Sequence, residues 1–505
     1  MSASMTRPPL WRRLLAGIVP SMREPRRLTV DDITIVDRPM LRRAVAGTVV
    51  GNLMEWYDIG IYGYLAVIIG RVFLPDASGA AQSLFSLGVF AVTFIARPVG
   101  GIVLGQLGDR LGRQRVLAFT LIMMAAATFL IGVLPDFSVI GIWAPILLIV
   151  LKLAQGFSTG GEYAGATTFI TEYAPDRRRG FYASLLDLGS YMGFAVGAAF
   201  VSILQLTVSA EAMEGFAWRI PFLVALPLGL IAIYFRLKIE DTPAFQDAQA
   251  SAQAAADDAH AAADAPKGVV ALVRAYWREL LTAFVLVAAA NTVGYALTSY
   301  MPTYLTGTLG YDEVHGTLLT LPVLVAMALC IPLTGALSDR IGRRRVLFIG
   351  SISAIVLAVP AFLFMMHGEI WSTLLGLVLL AFPVTFYVAN LASSLPALFP
   401  TSSRYGGMGI SYNLAVALFA GTAPFVMEAL VQLTGSPLAP AFYVIATSIA
   451  GVIAVAVLKE SARRPLPGAM PSVQTEEEAV ALVETQEENP DLDLDELFPE
   501  RTETP

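Results

Sequence analysis

Two stretches of the chain, 230 residues apart, are nearly the same: Gly105-Gln-Leu-Gly-Asp109-Arg110-Leu-Gly112-Arg113-Gln-Arg115 and Gly335-Ala-Leu-Ser-Asp339-Arg340-Ile-Gly342-Arg343-Arg-Arg345. Each is a short, densely charged turn between two long apolar segments. A second pair, Pro175-Asp-Arg-Arg-Arg179 and Pro400-Thr-Ser-Ser-Arg404, recurs 225 residues apart. A chain that repeats such turns half-way along its length is a duplicated helical bundle. Where two such copies lie side by side in a membrane, their interface is the place for a solute and a coupling ion.

Composition makes the membrane explicit. Of 505 residues, 56 % are hydrophobic and 14 % charged, with a mean hydropathy of +0.66, whereas soluble globular chains carry about 25 % charged residues. Twelve apolar stretches, most of them long enough to cross a bilayer, run over 43–69, 82–106, 116–134, 141–170, 181–206, 217–237, 279–305, 314–336, 346–366, 372–397, 406–431 and 438–458. The expected fold class is therefore all-α and integral to the membrane, with twelve transmembrane helices in two pseudo-symmetric six-helix bundles, 43–237 and 279–458. The single cysteine, Cys330, lies in an apolar stretch, which excludes disulfides and thiolate metal sites. Three histidines, all in loops or the linker, leave no material for a histidine metal centre or a catalytic triad. No metal, no cofactor and no enzymatic activity are expected.

Basic residues orient the bundle. Arg26, Arg27, Arg38, Arg42 and Arg43 precede the first stretch, Arg110, Arg113 and Arg115 follow the second, and Arg177, Arg178 and Arg179 follow the fourth. Arg236 and Lys238, Arg340 to Arg345, Arg404, and Lys459, Arg463 and Arg464 continue the series, while the alternate loops hold Arg71 and little else. The positive-inside rule puts both termini and the central linker in the cytoplasm. Residues 1–42 read as a cytoplasmic segment without a signal peptide, since the apolar patch Leu14 to Val19 is too short for one. Residues 238–278 are a linker rich in Ala, Asp and Gln. The last 30 residues hold twelve Asp or Glu against one Arg, so 459–505 is expected to be an acidic, disordered, solvated tail.

Charged groups are expensive at the bilayer centre and mark functional sites by default. At 1.5 Å per residue, Glu55 lies about 18 Å into the first helix, close to the midplane. Glu55, Asp58 and Tyr62 recur at spacings of three and four and share a face, with Asn52 beside them. The fourth helix brings Lys152 to that level and continues with Gln155, Glu162 and Tyr163. These spacings predict two tiers: Glu55, Asp58 and Lys152 at mid-depth, and Arg97, Glu162 and Asp187 below. Two carboxylates within one turn repel unless one is protonated, so Glu55, or else Asp58, is expected to carry a proton. Glu162 and Arg97 read either as a further proton-coupling pair or as a structural ion pair, and Asp187 as a local cap. The second half offers neutral and aromatic groups instead, among them Asn291, Tyr295, Tyr387 and Asn390. These would face a solute together with Asn52, Trp56, Tyr62, Lys152, Gln155 and Tyr163. Gly189, Gly193 and Gly197 predict a close helix contact. Asp109, Arg110, Arg113, Asp339, Arg340, Arg343, Arg179 and Arg404 predict a breakable latch of charge-assisted bonds on the cytoplasmic side.

The paired turns resemble the loop signature of the major facilitator superfamily. Gly51-Asn52-Leu-Met-Glu55-Trp56-Tyr57-Asp58, Gln155-Gly156-Phe-Ser-Thr-Gly160-Gly161-Glu162-Tyr163 and Trp218-Arg219-Ile-Pro221-Phe222 resemble its metabolite:proton symporter branch. Thr29-Val-Asp-Asp-Ile-Thr-Ile, Lys152-Leu-Ala-Gln155-Gly and Tyr300-Met-Pro302-Thr-Tyr304-Leu are most similar to its proline and glycine-betaine transporters. The resemblance spans residues 29–467. It implies proton-driven uptake of a small zwitterionic solute through a bacterial inner membrane, with no cofactor, no nucleic acid and a monomer in the bilayer. An organic-acid symporter remains open, as does, in a different class, a membrane sensor that does not transport. Some of these transporters end in a coiled coil that tunes osmotic activation, but 475–505 has no sustained apolar heptad.

Overall fold

The computed structural model describes residues 27–111, 113–160, 162–240 and 268–497, with the side chains of 44, 105–118, 162, 231–240 and 495–496 outside that description. Among the described residues, twelve helical rods make up the bundle. In the first half they are α1 (Arg38–Tyr64, carried on by Ala66–Phe73), α2 (Gly79–Ile95, carried on by Arg97–Leu111), α3 (Arg113–Val133), α4 (Trp143–Ser158, carried on by Glu162–Tyr173), α5 (Arg179–Thr207) and α6 (Ile220–Glu240). The second half holds α7 (Val269–Tyr295, carried on to Thr308), α8 (Thr320–Ile341), α9 (Arg343–Met366), α10 (Ile370–Ser394), α11 (Thr401–Ala415, carried on to Thr434) and α12 (Ala439–Val457). Among the described residues, nine helices are long and apolar enough to cross a membrane. In α3 and α6 only the apolar pieces Phe119–Val133 and Ala217–Leu230 register. Asn52, Glu55 and Asp58 dilute the hydropathy of α1, which is thereby marked as the helix with something to do other than face lipid.

Glycine decides which helices touch. On α5, a Cβ at Gly189 would stand 2.6 Å from the Val49 carbonyl, and one at Gly193 would overlap that of Leu53, so α1 and α5 pack backbone to backbone. At the end of the bundle that carries the repeated turns, a Cβ on Gly335 would lie 2.6 Å from the Gly180 carbonyl, which draws α8 onto the start of α5. One turn further along α8, the Asp339 carboxylate accepts the Gly180 N–H at 2.8 Å and the Phe181 N–H at 2.9 Å. A carboxylate there satisfies orphan N–H groups and meets the positive end of the helix dipole. The spacing of Gly335 and Asp339 in the repeated turn thus has a mechanical meaning: the glycine admits the neighbour and the aspartate caps it.

Around this cap Arg343 is fully buried, donating to the Ser393 carbonyl at 2.9 Å and Ser461 at 3.0 Å, while Arg340 is exposed and contributes its carbonyl. The second repeat matches bond for bond. Arg179 Nε donates to the Thr171 carbonyl at 2.9 Å and Arg404 Nε to the Pro396 carbonyl at 3.2 Å, each eight residues back. Arg404 also reaches Glu172 across the halves at 2.5 Å. The side chains of Asp109, Arg110 and Arg113 lie outside the described residues.

The acidic tail departs from the composition-based expectation. From Glu460 onward the chain runs along the same end of the bundle and bonds to both halves. Glu460 accepts the Arg343 N–H at 2.9 Å, the Arg464 carbonyl accepts from Arg179 at 2.8 Å, and the Pro467 carbonyl accepts from Arg404 at 2.9 Å. Ser472 donates its N–H to Asp176 at 3.0 Å. Strand β2 (Ser472–Val473) then pairs in parallel with β1 (Thr34–Ile35), and α13 (Glu476–Glu484) covers the pair. Leu28, Ile33, Val473 and Ala479 form a small core of their own. Charge counting misses this because Glu476 and Glu477 face outward while Ala479 faces in, and because the partner strand lies more than 400 residues upstream.

Truncation after Pro471 should therefore expose the Asp176–Arg179 turn. We expect tryptic cleavage at Arg177 and Arg178 to accelerate several-fold and the melting temperature in detergent to fall; an unchanged digestion pattern would show that the segment adds nothing to this end of the bundle.

Candidate functional site

Half-way through the bundle a cavity of about 30 Å³, room for one or two waters, is walled by both halves. Trp56 of α1, Tyr163 of α4 and Asp187, Ser190, Tyr191 and Phe194 of α5 face Asn291, Tyr295 and Thr298 of α7, Val388 and Leu391 of α10, and Tyr412 of α11. Half of the wall residues are aromatic. Trp56 sits 5.4 Å from Phe194 and 6.2 Å from Tyr295, and Phe194 meets Tyr295 edge-on. Tyr163 and Tyr412 stack at 4.2 Å with their planes 9° apart, joining α4 to α11.

Two wall residues, Trp56 and Ser190, are held from behind by Asn52. Asn52 donates to the Leu186 carbonyl at 2.8 Å and to Ser190 at 2.5 Å, and accepts the Trp56 indole N–H at 3.0 Å. That bracket uses the α1–α5 contact to fix the indole. Tyr295 ends the regular part of α7, where Ala296–Tyr300 forms a π-turn, a local widening that helices use to re-aim side chains at sites. Its hydroxyl has no partner among the described residues.

Directly behind the rings lies an ion pair. Arg97 Nη2 is 3.2 Å from Glu55 Oε1, with both side chains almost fully buried. The guanidinium also stands 4.7 Å from the Phe94 ring centre and 5.7 Å from that of Trp56. Close contact of α2 and α4 puts it there: a Cβ at Gly100, Gly156 or Gly160 would overlap the carbonyls of Phe157, Thr93 and Arg97 respectively.

Asp58, three residues beyond Glu55, turns to a different network. It accepts from Thr128 of α3 at 3.1 Å, Thr128 accepts from Gln155 of α4 at 3.0 Å, and Gln155 accepts from Lys152 at 2.6 Å. The Lys152 ammonium stands 4.2 Å from the ring centre of Tyr62, whose hydroxyl donates to the Ser86 carbonyl at 3.2 Å. Among the described residues, Asp58 is also the one charged group lining a larger cavity, about 280 Å³, between α1, α3 and α6. That volume lies within one half and is otherwise walled by apolar groups and Tyr57, so we take the smaller, inter-half cavity as the candidate site.

These placements regroup the expected tiers. Arg97, assigned to the lower tier, pairs with Glu55, while Glu55 and Asp58 answer to separate partners. Tyr62, Lys152 and Gln155 lie inside the first half and do not line the inter-half cavity. Tyr387 is buried in the second half with its hydroxyl over Gly451, and Asn390 donates back to the Phe386 carbonyl at 2.9 Å, so neither reaches the wall. Asn291, Tyr295, Trp56 and Tyr163 do line it, and Asn52 stands one layer behind. The Glu162 side chain lies outside the described residues. Asp187, read as a local cap, is instead a wall residue, and Tyr191, Phe194 and Tyr412 escaped notice. One signal could have found two of them: the 225-residue offset of the Arg179 and Arg404 turns also relates Asp187 to Tyr412.

The Trp218-Arg219 motif proves structural. Arg219 donates to the Leu134 and Gly215 carbonyls at 3.1 Å each and stands 4.4 Å from the Trp218 ring centre. In the adjoining loop, the Ser138 hydroxyl and then Arg219 hold the Asp136 carboxyl below its ordinary range.

The family described as "Sugar (and other) transporter" matches residues 44–469. The chain belongs to that family, within the major facilitator superfamily. It is 49 % identical over 479 residues to the ectoine/proline transporter ProP of Corynebacterium glutamicum, covering 94 % of this chain and 95 % of that one. It is 41 % identical over 471 residues to the proline/betaine transporter of Escherichia coli K12, covering 93 % and 94 %. Among solved structures, the proton:xylose symporter XylE superposes with a TM-score of 0.66 at 16 % identity, over 85 % of this chain and 98 % of that one. Like other members of the family, the chain is a multi-pass membrane transporter and not an enzyme.

Gly156→Ala tests the contact that carries Arg97. The added methyl overlaps the Thr93 carbonyl, so α2 and α4 must separate, and we expect a loss of about 1–3 kcal/mol of stability. Gly165→Ala, whose methyl would meet only Tyr405 at 3.8 Å, should leave the melting temperature in place. Equal melting of the two variants would remove the α2–α4 contact from this account.

Proposed function

We propose that the chain is a proton-coupled symporter that takes up zwitterionic osmolytes of the proline and glycine-betaine kind. It works by alternating access, as a monomer, in a bacterial cytoplasmic membrane with both termini inside. The observation that carries the reading is an aromatic cavity between the halves backed by a buried Arg97–Glu55 pair. The names of the full-length relatives support the choice of solute.

A zwitterion presents a cationic nitrogen and a carboxylate a few ångströms apart. Ring faces such as those of Trp56, Tyr163, Tyr295 and Tyr412 attract the cation by about 0.5–2 kcal/mol each. Arg97, 5.7 Å from the ring centre of the wall residue Trp56, is the natural partner for the carboxylate.

Coupling follows from one guanidinium serving two anions. While Glu55 is charged, Arg97 is compensated and a second carboxylate gains little. A proton on Glu55 removes that compensation, and an uncompensated buried charge costs about 3–5 kcal/mol. The solute carboxylate restores the balance, so proton and solute favour each other's binding, which is the thermodynamic condition for symport. Asp58, held by Thr128 and linked through Gln155 to Lys152, serves as the reserve proton site. Asp339 on the α5 N-terminus, with the Arg179 and Arg404 turns, closes the end opposite to solute entry and must part when the carrier opens inward.

Proteoliposomes provide the test. Wild-type protein should accumulate proline and glycine betaine when a pH gradient is imposed, and should ignore 2-oxoglutarate. Glu55→Gln should abolish gradient-driven accumulation while leaving solute exchange between equilibrated compartments intact, because exchange moves no net proton. Normal accumulation by both Glu55→Gln and Asp58→Asn would take the proton away from α1.

A further inference from the structure

Asp187 is a buried carboxylate that, unlike Glu55, Asp176 and Asp339, has neither a cationic partner nor a backbone N–H among the described residues. Its side chain lies on α5 in the cavity wall and is 6 % exposed. Oδ1 accepts from the Tyr163 hydroxyl at 3.3 Å. Oδ2 is buried and has no donor, and Asp187 forms no ion pair, among the described residues. Glu55 has Arg97, Asp176 has Arg179, and Asp339 has two backbone N–H groups. A carboxylate with an idle oxygen at this depth is costly to keep. Nothing in the Arg97–Glu55 coupling scheme uses it.

Its surroundings state what would compensate it. The stacked rings of Tyr163 and Tyr412 and the ring of Tyr191 line the same cavity, so a ligand that fills it beside Asp187 also touches aromatic surface. An anion is excluded by charge, and a neutral ligand would leave the charge in place. A cation with at least one N–H meets both demands: the ring faces take the charge and Oδ2 takes the proton donor.

We propose that Asp187 is the specificity-determining group for the nitrogen end of the solute, accepting an N–H from a primary or secondary ammonium. This deepens the zwitterion reading above and rests on it. Solutes with a protonated amine, such as proline, engage both the rings and Oδ2. Fully methylated ammonium groups, such as that of glycine betaine, have no N–H and are held by the rings and by unspecific attraction to the carboxylate. The carboxylate therefore sets the ratio between the two solute classes, and the aromatic wall sets the affinity they share. Tyr163 positions Asp187 by occupying Oδ1 and leaving Oδ2 without a donor.

The test measures proline and glycine betaine binding to purified full-length protein, for instance by isothermal titration, in wild type, Asp187→Asn and Tyr163→Phe. Asp187→Asn keeps the volume and removes the charge. It should weaken proline by about 10- to 100-fold, the value of a hydrogen bond to a charged group, and glycine betaine by much less. Tyr163→Phe removes only the donor on Oδ1, so the preference for proline should persist. Equal losses for the two solutes in Asp187→Asn would overturn the proposal, as would identical behaviour of the two variants, which is the mark of a structural Tyr163–Asp187 pair. Should Asp187→Asn fail to fold, wild type is titrated with proline, N-methylproline and N,N-dimethylproline. Affinity that falls with each lost N–H supports the assignment, and affinity that rises with methylation overturns it. A wild-type protein that binds none of these solutes overturns the zwitterion reading itself, and the proposal with it.

Discussion

A guanidinium buried in the middle of a membrane protein needs an anion, and most of the first half is arranged around that need. Arg97 can sit beside Glu55 only because α2 and α4 touch through glycine, and α1 can present Glu55 there only because glycines on α5 let α1 lie close. The same contacts bring Trp56 to the cavity wall, with Asn52 bracing it against α5. Helix packing, indole placement and the charge pair are one construction. Changing a glycine far from the cavity would therefore alter the electrostatics inside it.

The two halves share a framework but not a chemistry. Arg179 and Arg404 make the same bond to a carbonyl eight residues back, at positions 225 residues apart. At the cavity, that offset relates a carboxylate, Asp187, to a phenol, Tyr412, and among the described wall residues the one charged side chain belongs to the first half. Duplication explains the scaffold. Divergence at the cavity puts the carboxylate on one bundle, while the other lines it with an amide, hydroxyls and rings.

Much of the fold could be read in advance, for physical reasons that hold in any bilayer. Long apolar runs, charged turns and a basic bias between alternate loops are local signals, and they yield twelve helices and the close contact at Gly189 and Gly193. The site was legible only in part. Spacing along α1 correctly put Glu55 and Asp58 on one helix turn, but rotamers and neighbours sent Glu55 to Arg97 and Asp58 to Thr128, which no one-dimensional pattern records. Depth alone assigned Arg97 and Glu55 to different tiers, although an arginine side chain spans more than a helical turn. Tyr387 and Asn390 looked available because polarity in an apolar helix draws attention, yet they point into their own half. The tail was misread because its partner strand is remote in sequence.

The pairing of β1 with β2 has a topological consequence. Residues 34–35 and 472–473 are neighbours in space, so the chain between them is nearly a closed ring, pinned where its ends meet. In such a ring the order of the two halves along the polypeptide is a matter of where the backbone happens to be cut. The strand pair is then a second connection between the two halves, held by a few hydrogen bonds and a small apolar core.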